Sequence, residues 1–253
     1  MTVIACIFIA ALSYLLGSLN FGVILSNKLK KDDVRNHGSG NAGTTNMLRN
    51  YGKGVAVLTI LGDMLKVFAA IYIAKLIYSY VPMPLNELEN DIISTSDMDM
   101  LIKSFAGFFC VLGHIFPCYF KFKGGKGVAT SGGMVFAIDW RIALILLAVF
   151  FVVVFITRYV SLGSIVMAVL YPVFIFIFYK SIILTVIAVI FTLIVVIAHR
   201  ENIKKLIHHT ESKISFKSKR IINRVKQDAN KAYKKELYQV LLQFCLVDSL
   251  YKH

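Results

Sequence analysis

The sequence predicts an all-α integral membrane protein with seven transmembrane helices, an N-terminus outside, a cytoplasmic C-terminus and a basic amphipathic helical tail. Of its 253 residues, 57% are hydrophobic and only 17% are charged, whereas about a quarter of a soluble domain is charged. The mean hydropathy is +0.70, and apolar runs near the ~20 residues that cross a bilayer recur along the chain. These observations exclude an ordinary soluble globule and a disordered chain.

The first apolar run, residues 3–25, has no basic residue before it and is followed by Lys28, Lys30 and Lys31. A cleavable signal peptide has the opposite arrangement, so this run predicts a retained helix that ends in the cytoplasm. Six further apolar runs follow, of which the third is short, at residues 54–80, 101–120, 126–139, 141–157, 160–179 and 181–198.

Charge predicts the orientation of these spans, because Lys and Arg accumulate in cytoplasmic segments. Seven spans place residues 27–53, 121–126, 158–159 and the basic tail inside. The outside loop 81–100 then has no Lys or Arg and five acidic residues. A single bent span over residues 126–157 would give six spans and put the basic tail outside, which the positive-inside rule disfavours.

The C-terminal region differs in composition, since residues 200–253 hold thirteen Lys and Arg against five Asp and Glu. Apolar residues recur every three or four positions between Ile222 and Phe244, as in an amphipathic helix. The sequence therefore predicts a polytopic membrane domain over residues 1–214 and a basic cytoplasmic tail over residues 215–253 that lies on anionic lipid. No nucleic-acid motif accompanies this charge, so no nucleic-acid partner is predicted.

Some chemistry is excluded by what the sequence lacks. The cysteines Cys6, Cys110, Cys118 and Cys245 lie in apolar runs without paired spacing, so neither a disulfide scaffold nor a cysteine-based zinc site is predicted. The sequence has no G-x-S-x-G, H-E-x-x-H or H-x₄-D pattern, which disfavours a covalent serine enzyme and a zinc hydrolase. We expect no metal and no cofactor.

The first of three polar islands, residues 38–49, combines glycines, hydroxyls, amides and one guanidinium. Such a loop can cradle an oxyanion with backbone N–H groups while an arginine makes a bidentate contact. The spacing of G-x-G-x-x-G is present, but no strand precedes it, which excludes a dinucleotide site. A glycine-rich packing turn is the structural alternative. The candidate phosphate-binding residues are Arg49, Gly38, Gly40, Asn41, Thr45 and Asn46.

The second island, residues 113–130, contains Gly-Gly-Lys-Gly. It is not a Walker A motif, because Phe120 and Gly127 stand where Gly and Ser or Thr are needed. Lys126 precedes an apolar helix start, so it can meet a phosphate together with the positive end of that helix. Gly124, Gly125 and Gly127 are the candidate backbone donors beside it.

The third island, residues 199–211, follows the last span. His199 and Asn202 are i and i+3, so on a continuing helix they share a face. The same spacing relates Asp63 and Lys66 in the second span, where the cost of burying charge predicts an internal ion pair. The predicted topology puts all three islands at the cytoplasmic face, which suggests one site.

Taken together, the islands resemble the three motifs of the bacterial acyl-phosphate:glycerol-3-phosphate acyltransferases, the PlsY family. The match covers about residues 1–214, in order, through GSGNAGTTNMLR, GHIFPCYFKFKGGKGVAT and HRENIKKL…TE, with GSLN before the first. Thr44, Val67 and His209 depart from the family pattern, where alanine, glycine and glycine are usual. These departures affect local backbone more than charged groups.

The resemblance implies a multi-pass enzyme of the bacterial plasma membrane with a cytoplasmic active site. It transfers a fatty acyl group from acyl phosphate to sn-glycerol 3-phosphate, giving lysophosphatidic acid and phosphate in phospholipid biosynthesis. The family's active-site positions fall on Ser39, Arg49, Lys126, His199 and Asn202, of which all but Arg49 are assigned as catalytic. Glu211 is expected to secure the third segment.

Because acyl phosphate is already activated, catalysis can rest on positioning and charge stabilisation, without a covalent acyl-enzyme. Either His199 or a phosphate oxygen of a substrate can accept the hydroxyl proton.

An anion transporter is the competing class, but alternating access favours broken helices near the bilayer midplane in two related halves. A membrane scaffold would leave the island at residues 38–49 unexplained.

Overall fold

The computed structural model describes residues 2–81 and 95–214. Its helices are α1 (Thr2–Ser18), α2 (Phe21–Lys30), α3 (Thr44–Tyr51), α4 (Lys53–Tyr80), α5 (Thr95–Ile115), α6 (Val128–Ile138), α7 (Trp140–Thr157), α8 (Val160–Tyr179), α9 (Ile182–Ala198) and α10 (Arg200–Ile207). Short 3₁₀ turns occur at Val34–Asn36 and Cys118–Phe120. The predicted amphipathic tail, residues 215–253, and Cys245 lie outside the described residues.

Each predicted apolar run coincides with helix, and the all-helical membrane class is confirmed. Within the described part of the chain, 5 spans are long and apolar enough to cross a membrane, and the bent pair α9 and α10 makes up to 6. The short run forms α6, which has 11 residues, fewer than a full crossing needs. The number of seven spans and their orientation stay predictions.

The first span is broken into α1 and α2. Asn20 caps α2, because its side-chain oxygen accepts a hydrogen bond from the backbone N–H of Val23 at 3.3 Å. A capping asparagine satisfies a helix N-terminal donor while its own backbone is extended, and Asn20 has φ −83° and ψ 104°. The predicted span over residues 3–25 lies within the candidate span Val3–Lys30, and its helix is interrupted between Ser18 and Phe21.

α1 and α5 approach each other through two glycines. A Cβ added to Gly17 would lie 2.0 Å from the carbonyl oxygen of Cys110, and one added to Gly113 would lie 2.1 Å from that of Tyr14. Small residues let helix backbones approach closely inside membranes. The contact brings the end of α1 beside the end of α5, where the second island begins.

Asp63 and Lys66 form the predicted ion pair inside the bundle, with Oδ1 and Nζ 2.9 Å apart. Both are buried, and His114 of α5 lies against them. Side chains such as Phe151, Phe155 and Ile182 point outward from α7 and α9, as expected where lipid replaces water as the surrounding medium.

Candidate active site

The first island is folded around the side chain of Asn46, which is 2% exposed. Its Nδ2 lies 3.0 Å from the carbonyl oxygen of Val34, 2.9 Å from that of His37 and 2.9 Å from that of Asn41. Its Oδ1 accepts a hydrogen bond from the backbone N–H of Ser39 at 3.1 Å. The amide of Asn46, predicted to bind phosphate, is thus engaged by the loop itself.

The loop requires glycine at two positions. Gly38 has φ +58° and Gly40 has φ +69°, in the left-handed region that favours residues without a Cβ. Between them Ser39 is exposed, and Asn41 closes the next turn by accepting the N–H of Gly43 at 2.8 Å. The glycines therefore present Ser39 at the tip of a loop that is held from within.

Thr45 and Arg49 lie on α3, which follows this loop, and both are half-buried. Arg49 Nη2 donates to the carbonyl oxygen of Ser212 at 3.3 Å. This contact joins the first island to the residue that follows the third island.

Arg35, three residues before the first island, contacts the second. Its Nη1 donates to the carbonyl oxygens of Phe120 at 3.0 Å and Lys123 at 2.8 Å, and its Nη2 pairs with Asp33 Oδ2 at 2.6 Å. The hydrogen bonds from Arg35 hold the pKa of Asp33 below its ordinary value. Arg35 lies in the segment 27–53, which was predicted to be cytoplasmic, but its contacts with the second island were not predicted.

The Gly-Gly-Lys-Gly segment is anchored on the end of α5. The N–H of Gly124 donates to the carbonyl oxygen of Ile115 at 3.2 Å, and that of Gly125 to His114 at 3.1 Å. A Cβ at Gly124 would lie 2.0 Å from the carbonyl oxygen of His114. Gly127, at φ +77°, then begins α6, so Lys126 lies at the positive end of a helix as predicted.

Lys126 connects the second island to the third. Its Nζ donates to Oδ1 of Asn202, whose Nδ2 donates to Oε2 of Glu211 at 3.0 Å. Burial lowers the pKa of Lys126; the charge of Glu211 opposes this shift, and the charges of Lys205 and Arg49 add to it. Lys205 is a further neighbour of the site that the sequence analysis missed.

His199 lies where α9 meets α10, and the two helices bend by 62° there. His199 therefore lies at a bend and not within a straight helix, and the N–H of Asn202 donates to the carbonyl oxygen of His199 at 2.8 Å. Nδ1 of His199 lies 2.8 Å from the carbonyl oxygen of Val195. A carbonyl can only accept, so Nδ1 carries the proton and Nε2 of the neutral ring is an acceptor.

The predicted residues thus fall into two groups. Lys126, Asn202 and Glu211 are in direct contact, and Arg49 reaches the same segment through Ser212. The first-loop residues instead make their contacts largely within that loop. Within residues 2–81 and 95–214, no three His, Cys, Asp or Glu side chains gather as a metal site would require.

The sequence is similar to a known family. The family model described as glycerol-3-phosphate acyltransferase matches residues 7–209. A curated protein of that name from Clostridioides difficile strain 630 is 39% identical over 218 residues, which cover 86% of this chain and 99% of that protein. A relative of the same name from Ureaplasma urealyticum serovar 10 is 41% identical over 154 residues, spanning 61% of this chain and 59% of the relative.

Two crystal structures of PlsY (YgiH), an integral membrane glycerol 3-phosphate acyltransferase, share this fold. Its glycerol 3-phosphate form has a TM-score of 0.69 and 35% sequence identity, covering 83% of this chain and 96% of that one. Its lysophosphatidic acid form has a TM-score of 0.67 and 34% identity, covering 83% and 95%.

Proposed function

Because this chain belongs to the glycerol-3-phosphate acyltransferase family, we propose that it transfers a fatty acyl group from acyl phosphate to sn-glycerol 3-phosphate. The products are lysophosphatidic acid and inorganic phosphate. The observation that carries the proposal is the contact of Lys126 with Asn202, beside the contact of Arg49 with the same segment. Two cations thereby converge from separate islands, as two phosphorylated substrates require.

The charge of the substrates explains this arrangement. A phosphoryl group carries about −1.5 to −2 charges near neutral pH, so a site holding two of them needs several cations and donors. We assign phosphate binding to Lys126 and Arg49. The N–H groups of Gly40, Gly124 and Gly125, which were candidate donors, already donate to backbone carbonyl oxygens. Ser39 and Asn202 orient the substrates by hydrogen bonds. Asn46 supports the first loop from within.

The proposed reaction proceeds in one displacement. The glycerol hydroxyl oxygen attacks the acyl carbonyl carbon, the bond from that carbon to the phosphate oxygen breaks, and phosphate leaves. The hydroxyl proton passes to Nε2 of His199 or to a phosphate oxygen, since the bond from Nδ1 to Val195 leaves Nε2 as an acceptor. No covalent acyl-enzyme is needed, because acyl phosphate is already activated.

The proposal also includes the membrane topology of the enzyme and its division into two regions. The enzyme lies in a bacterial plasma membrane with seven spans, its N-terminus outside and its active site at the cytoplasmic face. Residues 1–214 form the catalytic domain, and residues 215–253 form a basic tail on anionic lipid. The absence of basic residues from the loop 81–100 supports this orientation.

The donor is tested with purified protein in lipid, using labelled glycerol 3-phosphate. We expect lysophosphatidic acid from palmitoyl phosphate and none from palmitoyl-CoA, because the proposed site recognises a phosphate directly on the acyl group. Product from palmitoyl-CoA alone would contradict the donor. No product from either donor, in protein shown to be folded, would contradict the reaction and favour an anion-flux assay in proteoliposomes.

The pH dependence tests the role of Lys126. Burial lowers the pKa of Lys126 from its ordinary value of 10.5, and only the charged form attracts phosphate. We therefore expect kcat/KM to be retained at neutral pH and to fall as the pH rises through this lowered pKa. In Lys126→Arg the guanidinium stays charged, so the alkaline fall should disappear from the profile. An identical fall in both proteins would assign it to another group.

A further inference from the structure

Three ionisable side chains form a buried cluster that the proposed reaction does not use. Lys66 Nζ lies 2.9 Å from Asp63 Oδ1 and 2.9 Å from His114 Nδ1. The exposed fractions are 4% for Lys66, 1% for Asp63 and 2% for His114. Ionisable groups inside membrane spans are costly and mark functional sites or their partners.

Lys66 also closes the break in the first span. Its Nζ donates to the carbonyl oxygens of Gly17 at 2.9 Å and Leu19 at 3.0 Å, where α1 ends and α2 begins. The start of α2 in turn packs on the first island, since a Cβ at Gly22 would lie 1.9 Å from the carbonyl oxygen of Ala42. The ammonium group of Lys66 therefore holds the start of α2, which contacts the first island.

His114 connects the same cluster to the second island. Nδ1 of His114 lies 2.9 Å from Lys66 Nζ and 3.4 Å from Asp63 Oδ1, so the cluster holds the ring in place. A Cβ added to Gly125 would lie 2.2 Å from His114 Nε2, and its three nearest atoms all belong to that ring. The ring thus sets how closely the backbone of Gly125 approaches α5, one residue before Lys126.

We propose that Lys66 and His114 are positioning residues for Lys126. The cluster holds the break between α1 and α2 and the Gly124–Gly127 segment in one fixed relation, so that Lys126 meets the substrate phosphates at the right place. Neither side chain touches substrate. This inference rests on the proposed function and adds to it the means by which the cation is placed.

The test begins with His114→Asn, whose side-chain oxygen can still accept from Lys66 while the ring beside Gly125 is lost. We expect kcat to fall ~10- to 100-fold, because small misplacements of reacting groups cost rates of this order. The matched control is Thr192→Val, which removes a buried hydrogen bond to the carbonyl oxygen of Ala168 between α8 and α9. It should lower the melting temperature comparably and leave kcat unchanged.

A second pair of variants separates positioning from stability. Gly125→Ala places a methyl group against the His114 ring, so kcat should fall. In His114→Asn with Gly125→Ala the ring is gone and the methyl group has room. We expect the double variant to have a higher kcat than Gly125→Ala alone, which is the non-additivity of residues in direct contact. A general loss of stability would make the double variant worse than either single one.

The outcomes are distinct. Unchanged kcat in His114→Asn, or a double variant no more active than Gly125→Ala, would overturn the positioning role while wild-type turnover sustains the proposed reaction. A wild-type protein without turnover in the same membranes would overturn both.

Discussion

Replacing Lys126 by alanine is expected to lower the rate of lysophosphatidic acid formation by at least about 10²- to 10³-fold, the usual cost of removing one stabilising donor from an active site. The lysine lies two residues before α6, is half-buried, and donates to Asn202. In the proposed reaction, the Gly-Gly-Lys-Gly segment places the charge of this lysine beside the phosphate groups of the substrates. Steady-state turnover from palmitoyl phosphate measures the loss.

The control for this variant is Lys123→Ala in the same loop. Lys123 is exposed, and it is the carbonyl oxygen, not the ammonium group, that holds Arg35. Turnover should therefore stay near the wild-type rate, and the melting temperature of both variants should show that they fold. Turnover by Lys126→Ala within a few-fold of wild type would contradict the assigned role.

Replacing Gly113 by alanine is expected to produce the largest loss of stability. Its Cβ would lie 2.1 Å from the carbonyl oxygen of Tyr14 and 2.8 Å from the backbone nitrogen of Ser18, so backbone atoms of α1 would have to move. Adding a methyl group to a packed interior lowers the free energy of unfolding by about 1–3 kcal/mol. We expect the upper end of this range, because the nearest atoms belong to the backbone and not to a flexible side chain that could move aside. Thermal unfolding in detergent micelles measures the effect.

Gly132→Ala on α6 is the matched control, because its added Cβ meets nothing within 4 Å. Alanine has the higher helix propensity, by about 1 kcal/mol, so this variant should unfold at the wild-type temperature or slightly above it. Equal melting temperatures for the Gly113 and Gly132 variants would show that α1 and α5 are not held as closely as described.

The helices could largely be predicted because apolar length decides them. The runs at residues 141–157 and 160–179 match α7 and α8 to within one residue. The break in the first span was not predicted, although Gly17, Ser18 and Asn20 interrupt the otherwise apolar run at residues 3–25. It depends on the capping by Asn20 and on Lys66, which reaches the break from another helix.

The candidate site was predictable in its parts but not in its assembly. Glycines, amides and cations in polar islands indicate anion binding wherever they lie, and the charge pattern predicts that the islands lie on one face. The pairing of Lys126 with Asn202 joins residues 76 positions apart, and no local pattern specifies it. Arg35 was missed because its partners are backbone carbonyl oxygens, which any sequence provides.

The clamp formed by Arg35 has a consequence for biosynthesis of the chain. The partners of Arg35, Phe120 and Lys123, lie 85 and 88 positions further along the chain. The partner of Arg49, Ser212, lies 163 positions further along and is synthesised much later. Since membrane and soluble chains alike emerge from the ribosome N-terminus first, the first two islands can dock while the later helices are still being made. Lys126 can contact Asn202, and Arg49 can contact Ser212, only after translation has passed α9, so a chain that ends before Asn202 lacks both contacts.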